Sequence, residues 1–368
     1  MTRPRVLVTT PDFPPSIGGI QRLIAQLVSH ATGWETLVMT LDHPDSGHTP
    51  APVPTRRVAN RSAFRQASIA RLNVATVRQG LAWRPDAIVS GHIVTSPGAL
   101  MLGDLLRLPT VQYLYAKEIA VRPRLGRFSM ERSTATVVLS QHSAAIALRA
   151  GAHEERLHVI PPGVDVAERS PRLGGRAEIP TVLTVARLAD RYKGFDVMLR
   201  AMSLVRARIP AARWVVIGDG PLRGELERTA EAWDLGGNVL FCGHVPDEEL
   251  DEWFARSHVF AMPSRLPADG GGGEGYGLVY LEAGAHGLPC VAGNLGAAAE
   301  AVIDGETGLL VDATDHVQTA GALVELLIDS DRATALGAAG HARARTLSWE
   351  RMATAVEALV ADLIASRA

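Results

Sequence analysis

The feature that most constrains this chain is a rhythm of short apolar segments separated by helix-length stretches, which runs once and then starts again. The first run opens with Arg5-Val6-Leu7-Val8-Thr9-Thr10, and the second opens with Thr181-Val182-Leu183-Thr184-Val185. Strands that alternate with helices predict a parallel sheet covered on both faces. A chain of 368 residues is long enough for two such domains. We therefore predict an α/β protein with two Rossmann-like domains, whose parallel sheets face a central cleft.

The break between the two runs sets the domain boundaries. Pro161-Pro162-Gly163-Val164-Asp165 interrupts the pattern, and residues 166–179 have the polar, Gly- and Pro-containing composition of a linker. After the N-cap candidate Ser348, an amphipathic helix is expected to cross back onto the first domain. The predicted units are an N-terminal domain of residues 1–167 with the crossing helix 349–368, and a C-terminal domain of residues 168–348.

Composition narrows the cellular setting. The sequence contains no apolar run near the roughly 20 residues that span a bilayer. Its first residues, Met1-Thr2-Arg3-Pro4-Arg5, do not have the layout of a signal peptide. The two cysteines, Cys242 and Cys290, favour core packing in a reducing compartment over a disulfide scaffold. These features predict a cytoplasmic protein, and we expect no nucleic-acid partner.

Arginine residues are concentrated in residues 54–84, where no acidic residue occurs before Asp86. Such a segment could bind an anionic lipid at the inner face of a membrane. It could equally recognise a soluble phosphorylated or polyketide-like acceptor, or be an ordinary solvated surface.

The richest candidate for chemistry is the segment from Asp269 to Ala283, which combines a glycine run with Glu274 and Glu282. Glycines let the backbone approach a ligand closely, and the N–H groups that open a helix carry positive partial charge, which suits a diphosphate. Carboxylates repel phosphate, so the two glutamates are better suited to accept hydrogen bonds from sugar hydroxyls.

A second candidate, Arg187 with Lys193, follows the first strand of the C-terminal domain, and Lys193 is one of only two lysines in an arginine-rich chain. Both cations could neutralise the charge that grows on a departing diphosphate. Gly18 and Gly19 could bring backbone N–H groups to a phosphate from the N-terminal domain. Gly218 ends a strand near the expected position of a nucleotide base, or simply forms a tight turn.

The motifs of several other enzyme classes are absent from the sequence. Gly18-Gly19 after the first strand is not a G-x-G-x-x-G fingerprint, and the sequence has no Walker motif, no H-E-x-x-H or paired-Cys spacing, no Asp-x-Asp of the sort that would hold a metal on a diphosphate and no G-x-S-x-G elbow. We therefore expect no metal site and no cofactor, with a nucleotide-diphosphate sugar as the donor substrate.

Together these residues resemble glycosyltransferase family 4, whose fold is GT-B. The resemblance rests on Pro11-Asp12-Phe13-Pro14-Pro15 with Gly18-Gly19, Pro161–Asp165, Arg187 with Lys193-Gly194, Glu274-x7-Glu282 and Ser348-Trp349-Glu350. It implies metal-independent transfer with retention at the anomeric carbon and front-face attack. In this picture Glu274 binds donor-sugar hydroxyls and Glu282 binds the ribose. The backbone of Gly275, Tyr276, Gly277 and Leu278 lines the sugar and phosphate pocket.

Among family members, the motif sequences most resemble those of actinobacterial phosphatidylinositol mannosyltransferases and similar α-mannosyltransferases. This favours GDP-mannose over UDP-sugars, with a small molecule or lipid as acceptor. One position departs from the family, because Tyr115 stands where many members place a histidine. Lys117 and Glu118 could share its role in contacting sugar, and His92 is a further candidate for the acceptor site.

Two other functions remain open at this level. One is a sugar-nucleotide epimerase of the same architecture, which would not need the two glutamates in this form. The other is a nucleotide-sugar-binding protein without turnover, which the tyrosine at position 115 makes conceivable.

Overall fold

A computed structural model of the chain describes residues 3–16, 18–47, 51–60, 65–166, 177–267 and 272–367. The chain forms two compact units, Met1–Gly163 with Trp349–Ala368, and Val164–Ser348. The predicted boundary after residue 167 and most of the predicted linker fall outside the described residues.

The first unit is a parallel sheet with helices in its crossover connections. Its elements are β1 (Arg5–Thr9), α1 (Gly19–His30), β2 (Glu35–Leu41), β3 (Thr55–Val58), α2 (Arg65–Trp83), β4 (Ala87–Ser90), α3 (Ser96–Leu106), β5 (Thr110–Tyr113), α4 (Ala116–Val121), α5 (Pro123–Arg132), β6 (Ala135–Val138), α6 (Gln141–Arg149) and β7 (Leu157–Val159). The strand order is β3-β2-β1-β4-β5-β6-β7, and each described pairing is parallel. This is the Rossmann order extended by one strand.

The second unit repeats the same plan. Its elements are β8 (Thr181–Val185), α7 (Phe195–Arg208), β9 (Arg213–Ile217), α8 (Arg223–Ala232), β10 (Val239–Gly243), α9 (Asp247–Arg256), β11 (Val259–Met262), α10 (Leu278–Ala285), β12 (Cys290–Gly293), α11 (Ala298–Ala301), β13 (Gly308–Val311), α12 (His316–Ile328) and α13 (Ser330–Thr346). The order β10-β9-β8-β11-β12-β13 is again that of a Rossmann fold. The two Rossmann-like units predicted from the sequence are therefore confirmed.

The final helix, α14 (Trp349–Ala365), belongs to the first unit and packs on α1. Its buried face carries Met352, Val356 and Val360, as the helical spacing predicts. At its first turn the Glu350 carboxylate lies 3.4 Å from Nε2 of His30 on α1.

The two segments that open the predicted runs are the strands β1 and β8, and the sequence analysis did not predict the strands β3 and β13. Both are four residues long and lie at the edge of their sheet. The edge strand β3 pairs on one side only and keeps part of its surface in water, and its Thr-Arg-Arg-Val sequence lacks the continuous apolar run that marks a central strand. This reason does not apply to β13, whose Gly-Leu-Leu-Val sequence does contain an apolar run. The central strand β1 illustrates the contrast, since Val6, Leu7 and Val8 are completely buried.

Candidate functional site

The second sheet changes its winding direction between β8 and β11, which lie side by side. In open α/β sheets the crevice at such a switch point, at the carboxyl ends of the strands, is where ligands bind. The loop after β8 contains Arg187 and Lys193, and the loop after β11 contains Glu274. The topology therefore brings these three predicted residues to one edge of one sheet.

Lys193 and Glu274 form an ion pair at this edge. The Lys193 ammonium donates a hydrogen bond of 2.8 Å to Oε1 of Glu274, and the two side chains are only 13% and 15% exposed. Two charges held this far from water interact more strongly than a surface pair. A cation and a carboxylate, 81 residues apart in sequence, thus form the centre of the predicted site.

The loop that carries Lys193 is fixed by close backbone contacts. Gly194 has φ +79°, and an added Cβ atom there would lie 2.3 Å from the carbonyl oxygen of Pro263. The backbone N–H of Arg265 donates to the carbonyl of Tyr192 at 2.8 Å. These contacts tie the loop after β8 to the loop after β11. Residue 194 must consequently be glycine for Lys193 to reach Glu274.

Arg187 is the exposed cation of the site. Its side chain is 69% exposed, and its Nη2 lies 3.4 Å from the Asp190 carboxylate. Tyr192 lies nearby, and burial together with the negative charges of Glu274 and Asp190 raises the pKa of its hydroxyl, which therefore stays protonated. Lys193 also stands over the Tyr192 ring, with Nζ 5.8 Å from the ring centroid.

Gly218 has a structural reason to be glycine. Its φ is +123°, and an added Cβ atom would lie 2.2 Å from the carbonyl oxygen of Ala186, the residue before Arg187. Next to it, the N–H of Leu188 donates to the carbonyl of Asp219 at 2.9 Å. The turn at Gly218 therefore supports the backbone on which Arg187 is mounted.

The segment with the two glutamates turns sharply into α10. Gly277 precedes the helix in the left-handed region, with φ +84°, and Leu278 is its first residue. Glu282 lies about one turn into α10, because the helix begins only after the glycine run. Tyr276 is buried, and burial raises the pKa of its hydroxyl, which hydrogen-bonds to Arg343 of α13.

In the first unit the predicted glycines begin α1. Gly18 is the residue before the helix and Gly19 its first residue, and both are exposed. They follow β1, which pairs with β4 at the corresponding switch point of this sheet. An exposed helix N-terminus at this position presents backbone N–H groups to an anion.

The predicted sugar-contact candidates of the first unit meet at Glu118. Nδ1 of His92 lies 2.6 Å from Oε1 of Glu118, and the backbone N–H of Tyr115 donates to Oε2 at 3.2 Å. Glu118 is buried, whereas Lys117 beside it is exposed. The structure thus brings three of the four candidates together and places Lys117 on the outer surface of α4.

Tyr115 itself is buried, with 6% of its surface exposed, and its ring stacks on Tyr113 with centroids 6.5 Å apart. Within the described part of the chain its hydroxyl has no hydrogen-bond partner. Burial, with the negative charge of Glu118, raises the pKa of this hydroxyl well above its usual range. Its role in binding sugar stays a prediction.

The sequence did not identify two partners of the site. Asp190 holds Arg187, and the i,i+3 spacing of the two residues was an available signal. Arg343 contacts Tyr276 from a distant helix, and no local pattern marks it. In the part of the chain that the structure describes, no group of three His, Cys, Asp or Glu side chains could hold a metal ion, and no helix is long and apolar enough to cross a membrane.

Comparison with protein-family models covers both units. The model described as Glycosyltransferase Family 4 matches residues 17–168, and the model described as Glycosyl transferases group 1 matches residues 179–329. The chain is 34% identical over 363 residues to the GDP-mannose-dependent alpha-(1-6)-phosphatidylinositol monomannoside mannosyltransferase of Mycobacterium tuberculosis, covering 92% of each chain. It is 30% identical to the GDP-mannose-dependent monoacylated alpha-(1-6)-phosphatidylinositol monomannoside mannosyltransferase of Corynebacterium glutamicum, covering 95% of each.

Solved structures share the fold over nearly the whole chain. Sucrose-phosphate synthase of Thermosynechococcus elongatus superposes with a TM-score of 0.86 at 22% identity, covering 99% of this chain and 100% of that chain. Anabaena Alr3699/HepE, solved in complex with UDP and glucose, gives a TM-score of 0.81 at 18% identity, covering 98% and 100%. At these identities the likeness concerns the fold alone, and the fold is GT-B.

Proposed function

Because this chain belongs to glycosyltransferase family 4 and has the GT-B fold, we propose that it transfers mannose from GDP-mannose to a hydroxyl group of a mannosylated phosphatidylinositol. The donor and acceptor are those in the names of two relatives, which align with 92% and 95% of this chain. The observation that carries the proposal is the largely buried Lys193–Glu274 pair, with side chains 13% and 15% exposed, at the switch point of the second sheet. It combines a cation for phosphate with a carboxylate for sugar hydroxyls.

In the proposed donor site Arg187 and Lys193 neutralise the diphosphate, and the N-terminus of α10 adds its positive partial charge. Glu274 accepts hydrogen bonds from the mannose hydroxyls and Glu282 from the ribose. We propose that these groups replace a metal ion in stabilising the leaving GDP, so that transfer proceeds without one.

The proposed reaction retains the configuration of the anomeric carbon. The acceptor oxygen forms a bond to that carbon on the face from which GDP departs, and the carbon–phosphate oxygen bond breaks with its electron pair going to GDP. The proton of the acceptor hydroxyl passes to the leaving phosphate oxygen.

We also propose that residues 54–84 contact the inner surface of a membrane, where a lipid acceptor is available. On α2 the side chains of Arg71, Val74, Arg78 and Leu81 are exposed and recur at helical spacing, which places basic and apolar groups on one face. Such a face suits the boundary between anionic headgroups and acyl chains.

The test is transfer from GDP-mannose to phosphatidylinositol monomannoside by the purified protein. We expect Lys193→Met and Glu274→Gln each to lower kcat by about 100-fold or more, because each removes a group that stabilises the transition state. Arg206→Met is the control, since Arg206 pairs with Asp234 away from the loops after β8 and β11. EDTA should leave the rate unchanged, and NMR of the product should show an α-linkage. Transfer from a UDP-sugar instead of GDP-mannose, or full activity in both variants, would contradict the proposal.

A further inference from the structure

In the first unit His92, which follows β4, contacts Glu118 in the first turn of α4, the helix that follows β5. Glu118 is 8% exposed, and its carboxylate accepts the backbone N–H of Tyr115 at 3.2 Å and that of Ile93 at 3.3 Å. The His92 side chain remains 25% exposed at the edge of this cluster. The carboxylate thus has backbone donors of its own, and the imidazole is added to an anion that is already hydrogen-bonded.

The contact with Glu118 decides which ring nitrogen of His92 carries the proton. A distance of 2.6 Å between Nδ1 and a carboxylate oxygen is that of a charge-assisted hydrogen bond, so we assign the proton to Nδ1. The backbone N–H of Val94 lies 3.2 Å from the same Nδ1 atom. It cannot donate to a nitrogen that is itself a donor, and we take the shorter contact as the hydrogen bond. In the neutral ring Nε2 is then a hydrogen-bond acceptor.

Proteins commonly use a carboxylate in this way to orient a histidine toward a ligand. A carboxylate that holds one ring nitrogen fixes the tautomer and the ring plane, and the other nitrogen is aimed outward. Tyr115 is less suited to meet a ligand, because it is buried.

We propose that Nε2 of His92 accepts a hydrogen bond from a hydroxyl group of the acceptor substrate, with Glu118 as the positioning residue that holds the ring. This inference rests on the proposed glycosyl transfer and adds a specificity-determining contact to it. The contact belongs to the carboxyl end of β4, where the Gly18–Gly19 turn that follows the neighbouring strand β1 also lies. A neutral imidazole nitrogen is a good acceptor for a hydroxyl and a poor partner for a carbonyl, so the contact selects polyol acceptors.

The experiment compares His92→Asn with His92→Phe. The asparagine side-chain amide can still donate to Glu118 from the position of Nδ1, but it has no atom at the position of Nε2, whereas phenylalanine lacks both. We expect the KM for phosphatidylinositol monomannoside to rise roughly 3- to 10-fold in both variants, the range of one neutral hydrogen bond. The KM for GDP-mannose and the slow hydrolysis of GDP-mannose without acceptor should not change. His30→Asn is the control, because His30 also faces a glutamate, Glu350, but on α1.

A purely structural role for His92 gives a different pattern. His92→Asn would then behave like the wild type and only His92→Phe would lose stability, with no change in the acceptor KM of either, and the proposal would be overturned. A second readout does not depend on turnover. In ¹⁵N NMR of histidine-labelled protein, His92 should show a protonated Nδ1 and an unprotonated Nε2, and phosphatidylinositol monomannoside should shift the Nε2 signal.

The experiments distinguish a failure of the proposed mannosyl transfer from a failure of the His92 contact. If the wild type transfers mannose but the NMR signal of Nε2 is protonated or unaffected by acceptor, the His92 inference is wrong and the proposed function stands. If no transfer occurs and the Nε2 signal still moves with acceptor, the proposed reaction is wrong and the binding contact is supported.

Discussion

Among the described residues, a short side-chain contact to a glutamate lies near the carboxyl end of each sheet, and the two contacts are built differently. Lys193 and Glu274 come from loops after β8 and β11, the strands on either side of the switch point. His92 follows β4, and Glu118 lies in the first turn of α4, which follows the next strand β5. In the second unit the hydrogen bond to the carboxylate comes from a side chain, whereas in the first unit two backbone N–H groups also donate to it.

The difference separates a pair that a ligand can rearrange from a carboxylate that the fold itself requires. If Lys193 binds a diphosphate instead, Glu274 is left to accept hydrogen bonds from sugar hydroxyls, and the hydrogen bond that is lost joins two side chains. Glu118 cannot leave its place without leaving the N–H groups of Ile93 and Tyr115 unsatisfied. We therefore expect substitutions at the two carboxylates to differ in which property they damage.

The largest effect on stability is expected from Lys193→Met. Removal of one partner leaves the charge of Glu274 buried without compensation, and we expect the free energy of unfolding to fall by about 3 kcal/mol. The double variant Lys193→Met/Glu274→Gln removes both charges and should regain most of that loss, while remaining inactive. Urea unfolding followed by circular dichroism measures both.

Arg265→Met is a suitable control, because Arg265 pairs with Asp196 in the same unit but its partner is 55% exposed. The comparison fails if the double variant is as unstable as the single one, since the loss would then come from packing of the lysine chain and not from the stranded charge.

The next effect is expected from Glu118→Met. This change leaves two backbone N–H groups and the imidazole without their acceptor, and we expect a loss of about 2 kcal/mol in the free energy of unfolding. Adding His92→Phe should not restore stability, in contrast to the double variant of the second unit, because the backbone donors remain unpaired. Recovery of stability in this double variant would show that the backbone N–H groups do not require Glu118, and that Glu118 and Glu274 are held in the same way.

The two contacts also show which parts of the fold and of the site could be predicted from the sequence. The strand rhythm predicts both sheets, and Lys193, Glu274 and Glu282 are recognisable as motif residues. The contact between Lys193 and Glu274 cannot be recognised from the sequence, because it depends on two loops that the β8–β11 pairing brings together. His92 and Glu118 were both candidates, yet their pairing needed the positions of two neighbouring strand ends. The edge strand β3 was missed because its partly exposed Thr-Arg-Arg-Val sequence has no apolar run, whereas the apolar run of β13 was present in the sequence and was overlooked.

The smallest effect on stability is expected at Arg187, the exposed cation of the donor site. Its pair with Asp190 is 69% exposed on the arginine side, so solvent screens the attraction, and Arg187→Gln should change the free energy of unfolding by less than about 1 kcal/mol. Binding of GDP should weaken much more, by about 10-fold or more in calorimetry, because a guanidinium–phosphate contact is lost. Arg187→Lys should recover only part of this affinity, since an ammonium cannot contact two phosphate oxygens in the same plane. Unchanged GDP affinity in Arg187→Gln would leave Lys193 as the cation for the diphosphate and would reduce the donor site to the buried pair.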